Sequence, residues 1–156
     1  MAHRPYVAVI GPSDATSLQT RAAEDIGRGL AHAGAILVCG GLGGVMEAAC
    51  HGSSAAAGIS VGLLPGTDRA DANDWVRIAL PTGLGELRNG LIIRAADAVI
   101  AVGGAYGTLS EIALALRAGV PVIGLDTWEI EGVEPVRTAS EAVTRALARA
   151  NGRDAS

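Results

Sequence analysis

The chain contains no phenylalanine, no lysine and few aromatic residues of any kind. Of its 156 residues, 3% are aromatic, 49% are hydrophobic and 18% are charged. This composition is typical of a globular protein, whose core must here be built from Ala, Val, Leu and Ile. The length suffices for one domain with a proper core, so we expect a single domain over residues 1–156.

Other absences exclude several classes of protein. The net charge of −4 argues against a nucleic-acid-binding surface. Cys39 and Cys50 are the two cysteines; they have no metal-ligand spacing and indicate no disulfide framework. Residues 1–5 lack the apolar core of a signal peptide, and no apolar run reaches the ~18 residues of a membrane helix. We therefore expect a reduced, cytoplasmic protein with no nucleic-acid partner, no membrane contact and no metal site.

Short apolar, β-branched runs alternate along the chain with longer helical patterns. Predicted strands cover 6–10, 35–39, 59–64, 76–80, 98–102 and 120–125. Predicted helices cover 18–30, 45–57, 85–96, 109–118 and 140–150, whereas 65–74 predicts a polar loop and 128–134 an irregular segment. Unbroken apolar strands separated by helices indicate a parallel sheet covered on both faces. We therefore predict an α/β, Rossmann-like domain with a doubly wound, mostly parallel sheet.

Ligands of such sheets bind beyond the carboxyl ends of the strands, near the switch in strand order. Four loops follow predicted strands there, and two of them share the pattern strand, Gly-Gly-x-x-Gly, helix. Glycine permits positive φ and the close approach of a ligand, and free N–H groups at a helix start favour phosphate. These loops predict a phosphate or other anion site, with a ligand-free tight turn as the alternative. The candidate binding residues are Gly11, Ser13, Gly40, Gly41, Gly43, Gly44, Gly103, Gly104, Gly107 and Thr108.

Two common nucleotide motifs do not fit. After the first predicted strand stands only GPSDAT, whereas a dinucleotide fingerprint needs G-x-G-x-x-G at that point. Gly41-Leu42-Gly43 begins that pattern, but Met46 occupies the position of its last glycine. A P-loop needs a lysine, which the chain lacks. Ordinary NAD binding and P-loop ATP hydrolysis are thereby excluded.

Thr108 and Glu111 have a structural and a functional interpretation. The spacing T-x-x-E predicts a capping box, in which both side chains satisfy N–H groups at the helix start. Thr138 and Glu141 have the same spacing with no glycine loop beside them, so the spacing alone indicates no catalysis. Glu111 differs because it follows the second glycine loop, where its carboxylate could face a ligand.

Arg88 and Asn89 are further candidates. They lie near the start of a predicted helix that leads into the strand before the second glycine loop. Arginine can bind phosphate through two parallel hydrogen bonds or stabilise charge that develops in a reaction. The alternatives are a solvated arginine, or a partner for Glu86. Asn89 could hydrogen-bond a ligand or face water.

Three stretches resemble the Lonely Guy family and the related molybdenum-cofactor carrier proteins. VCGGLGGVMEAA is similar to the family's first glycine-rich stretch, GELRNGLIIRAADAVIAV to its M-H-x-R-K segment, and GGAYGTLSE to its P-G-G-x-G-T-x-x-E segment. Arg88 and Gly107 are separated by the family's distance without a gap. The resemblance covers residues 6 to 125.

The resemblance implies a Rossmann-like homodimer. Its enzymes hydrolyse the N-glycosidic bond of a nucleoside 5′-monophosphate to free base and ribose 5-phosphate, and no cofactor is implied. Carried over, Arg88 and Glu111 would be the catalytic pair, while Gly104, Gly107 and Thr108 would hold the phosphate. This hydrolytic activity on a small phosphorylated ligand is our main prediction from the sequence.

Three departures from the enzyme pattern favour an alternative. The lysine after the arginine is Asn89, the proline is Gly103 and the second glycine is Ala105. The changes to Asn and Gly resemble the carrier-like branch, which would bind the molybdenum cofactor without turnover. The alternative prediction is therefore a non-enzymatic carrier of that cofactor or of another phosphorylated ligand. A nucleotide-sensing or partner-binding module is a third possibility.

Overall fold

The computed structural model of the protein describes residues 3–153. Its seven strands form one sheet in the order β4-β3-β2-β1-β5-β6-β7, and each neighbouring pair is parallel. The strands are β1 Tyr6–Ile10, β2 Ile36–Cys39, β3 Ile59–Leu64, β4 Ile78–Pro81, β5 Ala98–Val102, β6 Val122–Leu125 and β7 Val133–Val136. The predicted Rossmann-like α/β fold is confirmed.

Five α-helices cover the two faces of the sheet. They are α1 Ser17–His32, α2 Val45–Ala55, α3 Asn89–Ala95, α4 Tyr106–Arg117 and α5 Ala139–Arg153, with short 3-10 helices at Arg69–Asp71 and Gly85–Arg88. Helices α1, α2 and α5 share one buried cluster with one side of the strands. Helices α3 and α4 share a second cluster with the other side. No helix within residues 3–153 is long and apolar enough to span a membrane.

The core residues follow from the alternation of side chains along the central strands. In β1, Val7 and Val9 pack toward α1, α2 and α5, whereas Ala8 and Ile10 pack toward α3 and α4. All four are buried, which explains why this strand reads as an unbroken apolar run. The strand order reverses between β1 and β5, so a crevice opens beyond the carboxyl ends of these two strands.

Helices α1 and α2 approach each other through two glycines. A β-carbon at position 27 would lie 1.9 Å from the carbonyl oxygen of Ala49, and one at position 52 would lie 1.9 Å from that of Glu24. Only glycine permits backbones to come this close. The contact fixes α2 and therefore the glycine loop that leads into it.

The structure differs from the sequence prediction at several elements, among them strand β6, which begins two residues later than predicted. Strand β7 was not predicted: it overlaps the last two residues of the segment 128–134, predicted irregular, and extends beyond it, and it is an edge strand, where its proline is tolerated. Strand β4 begins two residues later than predicted. The helix predicted over 85–96 is split into a 3-10 turn and α3. Helix α4 begins at Tyr106, three residues before the predicted start, and this shift changes the interpretation of the site.

Candidate functional site

A cavity of about 350 Å³ opens at the switch in strand order. This volume is within the range of small-molecule sites, roughly 300–1,000 Å³. The wall is formed by the loops after β1, β2, β3 and β5, by the 3-10 turn before α3, and by the first turns of α4. The residues that line it are Val9, Ile10, Gly11, Pro12, Ser13, Gly40, Leu42, Met46, Pro65, Glu86, Arg88, Asn89, Ala105, Gly107, Thr108 and Glu111.

The cavity brings together most of the candidates predicted from the sequence. Those that line it are Gly11, Ser13, Gly40, Arg88, Asn89, Gly107, Thr108 and Glu111. Those that do not line it are Gly41, Gly43, Gly44, Gly103 and Gly104. The sequence interpretation missed the apolar wall of Ile10, Leu42 and Met46. Nothing in the sequence separates these side chains from ordinary core residues, although Leu42 lies between glycines.

Several of the predicted glycines are required by the protein itself. A β-carbon at position 11 would lie 2.5 Å from the carbonyl oxygen of Val102. Gly44 has a φ of 65°, and a β-carbon there would lie 2.3 Å from the carbonyl oxygen of Pro12. At Gly40 it would lie 2.7 Å from Nη2 of Arg88. Gly11 and Gly44 meet backbone atoms and need to be glycine whether or not a ligand binds, whereas at Gly40 the obstacle is the end of the Arg88 side chain.

Gly107 is different because the fold does not require it. A β-carbon at position 107 would meet no atom within 4 Å, and the residue is helical, in the first turn of α4. It nevertheless lines the cavity. Gly107 therefore leaves open space on the wall of the cavity, at a helix start whose N–H groups favour an anion.

Arg88 is a buried side chain that connects three segments. Its Nε donates to the carbonyl oxygen of Leu63 at 2.7 Å, Nη2 donates to that of Gly40 at 3.3 Å, and Nη1 donates to Oδ1 of Asn89. With 8% of its surface exposed, it is not the solvated arginine of the alternative interpretation. Burial lowers the pKa of the guanidinium, and the charge of Glu111 opposes that shift. Three of its five N–H donors are used within the protein, which leaves two that can reach a ligand.

Glu111 lies one helical turn after Gly107, on the same face of α4. Burial raises the pKa of its carboxyl to about 7, and the positive charge of Arg88 acts in the opposite direction. Near neutral pH this carboxyl is therefore partly protonated, unlike an exposed glutamate. Such a group can donate or accept a proton at the pH at which most proteins work.

The predicted capping box of Thr108 and Glu111 is wrong. Ala105 is the N-cap of α4, so Thr108 lies inside the helix, where it is 2% exposed. Its Oγ1 has no hydrogen-bond partner within residues 3–153. The same spacing at the start of α5 does form a cap, since Glu141 N donates to Thr138 Oγ1 at 3.1 Å. Because α4 begins earlier than the sequence predicts, both Thr108 and Glu111 are left to face the cavity.

The profile of the SLOG cluster4 family matches residues 4–153. The chain belongs to this family. It is also 41% identical over 138 residues to an uncharacterized protein from Archaeoglobus fulgidus, a match that spans 88% of this chain and 91% of that protein. The predicted resemblance to the Lonely Guy superfamily is thereby confirmed.

Solved structures place this SLOG cluster4 protein near the molybdenum-cofactor carrier branch. The molybdenum cofactor binding protein from Rippkaea orientalis is 34% identical, with a TM-score of 0.88 over 95% of this chain and 98% of that chain. A Moco carrier protein from Chlamydomonas reinhardtii is 31% identical, with a TM-score of 0.85 over 97% of this chain and 99% of the other. DNA processing protein A from Streptococcus pneumoniae is 17% identical with a TM-score of 0.71, which shows a shared fold alone.

The SLOG cluster4 cavity thus combines three chemical features. The start of α4, with Gly107 and the unpartnered hydroxyl of Thr108, suits an anionic oxygen. Arg88 adds a fixed positive charge with hydrogen-bond donors. Leu42 and Met46 supply an apolar wall for a flat ring system. A small ligand with a phosphate at one end and a ring at the other would complement all three features.

Proposed function

We propose that this SLOG cluster4 protein is a non-enzymatic binding or carrier protein for the molybdenum cofactor, or for another small phosphorylated ligand. The observation that supports it best is Gly107, a helix-start glycine on the cavity wall that no protein contact requires. The molybdenum cofactor is cargo in this proposal, and it offers a phosphate group and a pterin ring.

The residues present fit such a cargo. The phosphate would lie at the start of α4, where the backbone at Gly107 is open and the buried Oγ1 of Thr108 lacks a partner within residues 3–153. The two remaining N–H donors of Arg88 would bind the same anion. The pterin ring would lie against Leu42 and Met46. The other loop glycines, Gly41, Gly43, Gly44, Gly103 and Gly104, would shape the loops without contacting the ligand.

Two observations favour binding over turnover. The most similar solved structures that we compare are named as cofactor-binding and carrier proteins. In addition, Asn89 stands where the Lonely Guy enzymes have a lysine, and its Oδ1 accepts a hydrogen bond from Arg88. The site therefore has one fixed cation, Arg88, where the enzyme pattern has two.

The test is cofactor retention by the purified protein. Protein produced in cells that make the molybdenum cofactor should carry molybdenum and pterin in equal, stoichiometric amounts, measured by mass spectrometry and by fluorescence of the oxidised pterin. Gly107→Val should lose both the molybdenum and the pterin, because in the proposed binding mode its side chain would crowd the phosphate at the helix start. Gly152→Val is the matched control: it too is a helical glycine with no atom within 4 Å of a β-carbon, but it lies outside the cavity. Failure of the wild-type protein to bind the cofactor saturably would refute the molybdenum cofactor as its cargo.

Hydrolysis of a nucleoside 5′-monophosphate is the second candidate, and Glu111 favours it. Its carboxyl has a pKa of about 7 and lines the cavity together with Arg88. In glycoside hydrolysis a carboxylate stabilises positive charge on the sugar or orients a water molecule. Incubation with a panel of nucleoside monophosphates, followed by detection of free base, tests this candidate. Release that disappears in Glu111→Ala, while the helix content persists, would establish an enzyme in place of a carrier.

We also propose a cytoplasmic homodimer in which residues 1–156 form one domain. Leu84, Leu87 and Leu91 lie along the 3-10 turn and α3, Leu114 lies on α4, and all four are exposed, Leu87 by 80%. This apolar surface beside the cavity is suited to a second copy of the chain. Sedimentation should give twice the monomer mass of 15.6 kDa. Leu87→Glu should give a monomer, and a wild-type monomer would refute the dimer.

A further inference from the structure

Trp128 contacts three consecutive residues: Gly104 and Ala105, which precede α4, and Tyr106, which begins it. Its Nε1 donates to the carbonyl oxygen of Ala105 at 3.3 Å. A β-carbon at Gly104 would lie 3.1 Å from the same Nε1. The indole also stacks on the ring of Tyr106, with centroids 6.2 Å apart and planes inclined by 27°. One side chain from the segment between β6 and β7 thus holds the entire entry to α4.

One of the residues that Trp128 contacts, Ala105, belongs to the anion-binding end of the cavity. Ala105 is the N-cap of α4, has no side-chain cap, and lines the cavity together with Gly107 and Thr108. Its carbonyl oxygen also accepts the helical hydrogen bond from Leu109 N at 2.9 Å. Because a helix start without a cap frays readily, an external donor at this carbonyl fixes where the free N–H groups point.

The indole itself lies outside the cavity wall. Trp128 is not among the residues that line the cavity, and it packs against the buried cluster beneath α3 and α4. It also borders a separate space of about 470 Å³ enclosed by the segment between β6 and β7. Its influence on a ligand must therefore act through the loop that it holds, not through contact.

We infer that Trp128 is a positioning residue for the ligand's phosphate end: it holds the segment Gly104–Tyr106 so that the start of α4 faces the cavity. This inference rests on the proposed function for its ligand, but the contacts of Trp128 stand without it. It also gives a reason for Gly104, where a β-carbon would crowd the indole. Gly104 was predicted to hold the phosphate, and it does not line the cavity.

Two variants separate the hydrogen bond from the packing. Trp128→Phe keeps a ring for packing but loses the N–H donor, whereas Trp128→Ala loses both. Trp75→Phe is the matched control, because Trp75 is the other tryptophan and stacks on His51, with ring centroids 4.3 Å apart, away from the cavity. Each protein is measured in two ways: amide hydrogen exchange of the peptide that covers 103–109, and calorimetric titration with inorganic phosphate, AMP and the molybdenum cofactor.

We expect faster exchange at 103–109 in Trp128→Ala and about tenfold weaker binding, equivalent to about 1.4 kcal/mol. Trp128→Phe should bind the ligand about threefold more weakly than the wild type, because a single neutral hydrogen bond is removed. Trp75→Phe should behave as wild type in both measurements. Unchanged exchange at 103–109 would overturn the inference, and so would faster exchange with unchanged binding. A wild-type protein that binds none of the probes would refute the proposed function, and the exchange data would still decide whether Trp128 holds the loop.

Discussion

The carboxyl of Glu111 and the guanidinium of Arg88 line one cavity, and the charge of Arg88 opposes the burial that raises the pKa of Glu111 to about 7. The guanidinium donates hydrogen bonds to the carbonyl oxygens of Leu63 and Gly40 and to Oδ1 of Asn89. Burial has the larger effect on the pKa of Glu111, and the attraction of Arg88 offsets it only in part. The pair forms a site whose net charge changes near neutral pH.

This pKa predicts how the stability of the protein depends on pH. The carboxyl binds its proton more tightly in the folded protein than at its ordinary pKa of 4.5. The contribution of Glu111 to the free energy of unfolding is therefore fully present below pH ~4.5, falls as the pH rises to about 7, and is lost above that. Glu111→Gln should abolish this decline. Urea unfolding of the wild type and of Glu111→Gln, at about pH 5 and about pH 8, measures the change in the free energy of unfolding with pH. Equal pH dependence in the two proteins would contradict the prediction.

Arg88→Lys should be costly although the charge is kept. A lysine ammonium has no planar fork, so it cannot donate to Leu63, Gly40 and Asn89 at once. Buried carbonyl oxygens left without a donor cost about 1–3 kcal/mol each. We expect a lower free energy of unfolding and weaker phosphate binding, measured by urea titration and calorimetry. Arg94→Lys is the control, since Arg94 is exposed and should tolerate the change. A loss of binding without a loss of stability would mean that Arg88 acts on the ligand alone.

The two Thr-x-x-Glu segments should respond in opposite ways to mutation. Thr138→Ala removes the hydroxyl that accepts from Glu141 N, and the loss of such a cap costs about 1 kcal/mol. Thr108→Val replaces a buried hydroxyl that has no partner within residues 3–153, so stability should be equal or higher. The same change should weaken phosphate binding. Thermal unfolding and calorimetry of both variants test this pair, and a large destabilisation by Thr108→Val would show that the hydroxyl has a structural partner.

The sequence predicted some secondary-structure elements with their bounds and missed or misplaced others. Strands β1, β3 and β5 have the predicted bounds, because fully buried or alternating apolar runs stand out between turn residues. Strand β7 was missed, because an edge strand with Glu134 and Pro135 lacks such a run. The start of α4 was misplaced: it follows Gly103, which has a positive φ, and its N-cap Ala105 accepts a hydrogen bond from Trp128, 23 residues away. The spacing of residues along the sequence around Thr108 reveals neither the φ of Gly103 nor the hydrogen bond from Trp128.

The candidate site, like the fold, was predicted only in part from the sequence. Arg88, Gly107 and Glu111 could be found because they follow strand ends or match a motif at a fixed distance. The apolar wall of Leu42 and Met46 could not, because its side chains have the composition of a core. Nor could the sequence separate glycines required by the fold from a glycine that leaves room for a ligand.

Alanine substitutions can distinguish a glycine that the fold requires from a glycine that leaves room for a ligand, and Gly107→Ala is the first of them. In a helix, alanine is more stable than glycine by up to about 1 kcal/mol, and at position 107 a β-carbon meets no atom within 4 Å. The variant should therefore be at least as stable as the wild type while binding phosphate more weakly, because in the proposed binding mode the methyl group would crowd the phosphate at the helix start. Gly27→Ala should lower the stability of the protein without a direct effect on phosphate binding. Its β-carbon would lie 1.9 Å from the Ala49 carbonyl oxygen, so the α1–α2 contact must open. Gly152→Ala should gain stability without any loss of binding. Thermal unfolding and phosphate titration of the three variants distinguish these outcomes, and normal binding by Gly107→Ala would show that the ligand lies elsewhere in the cavity.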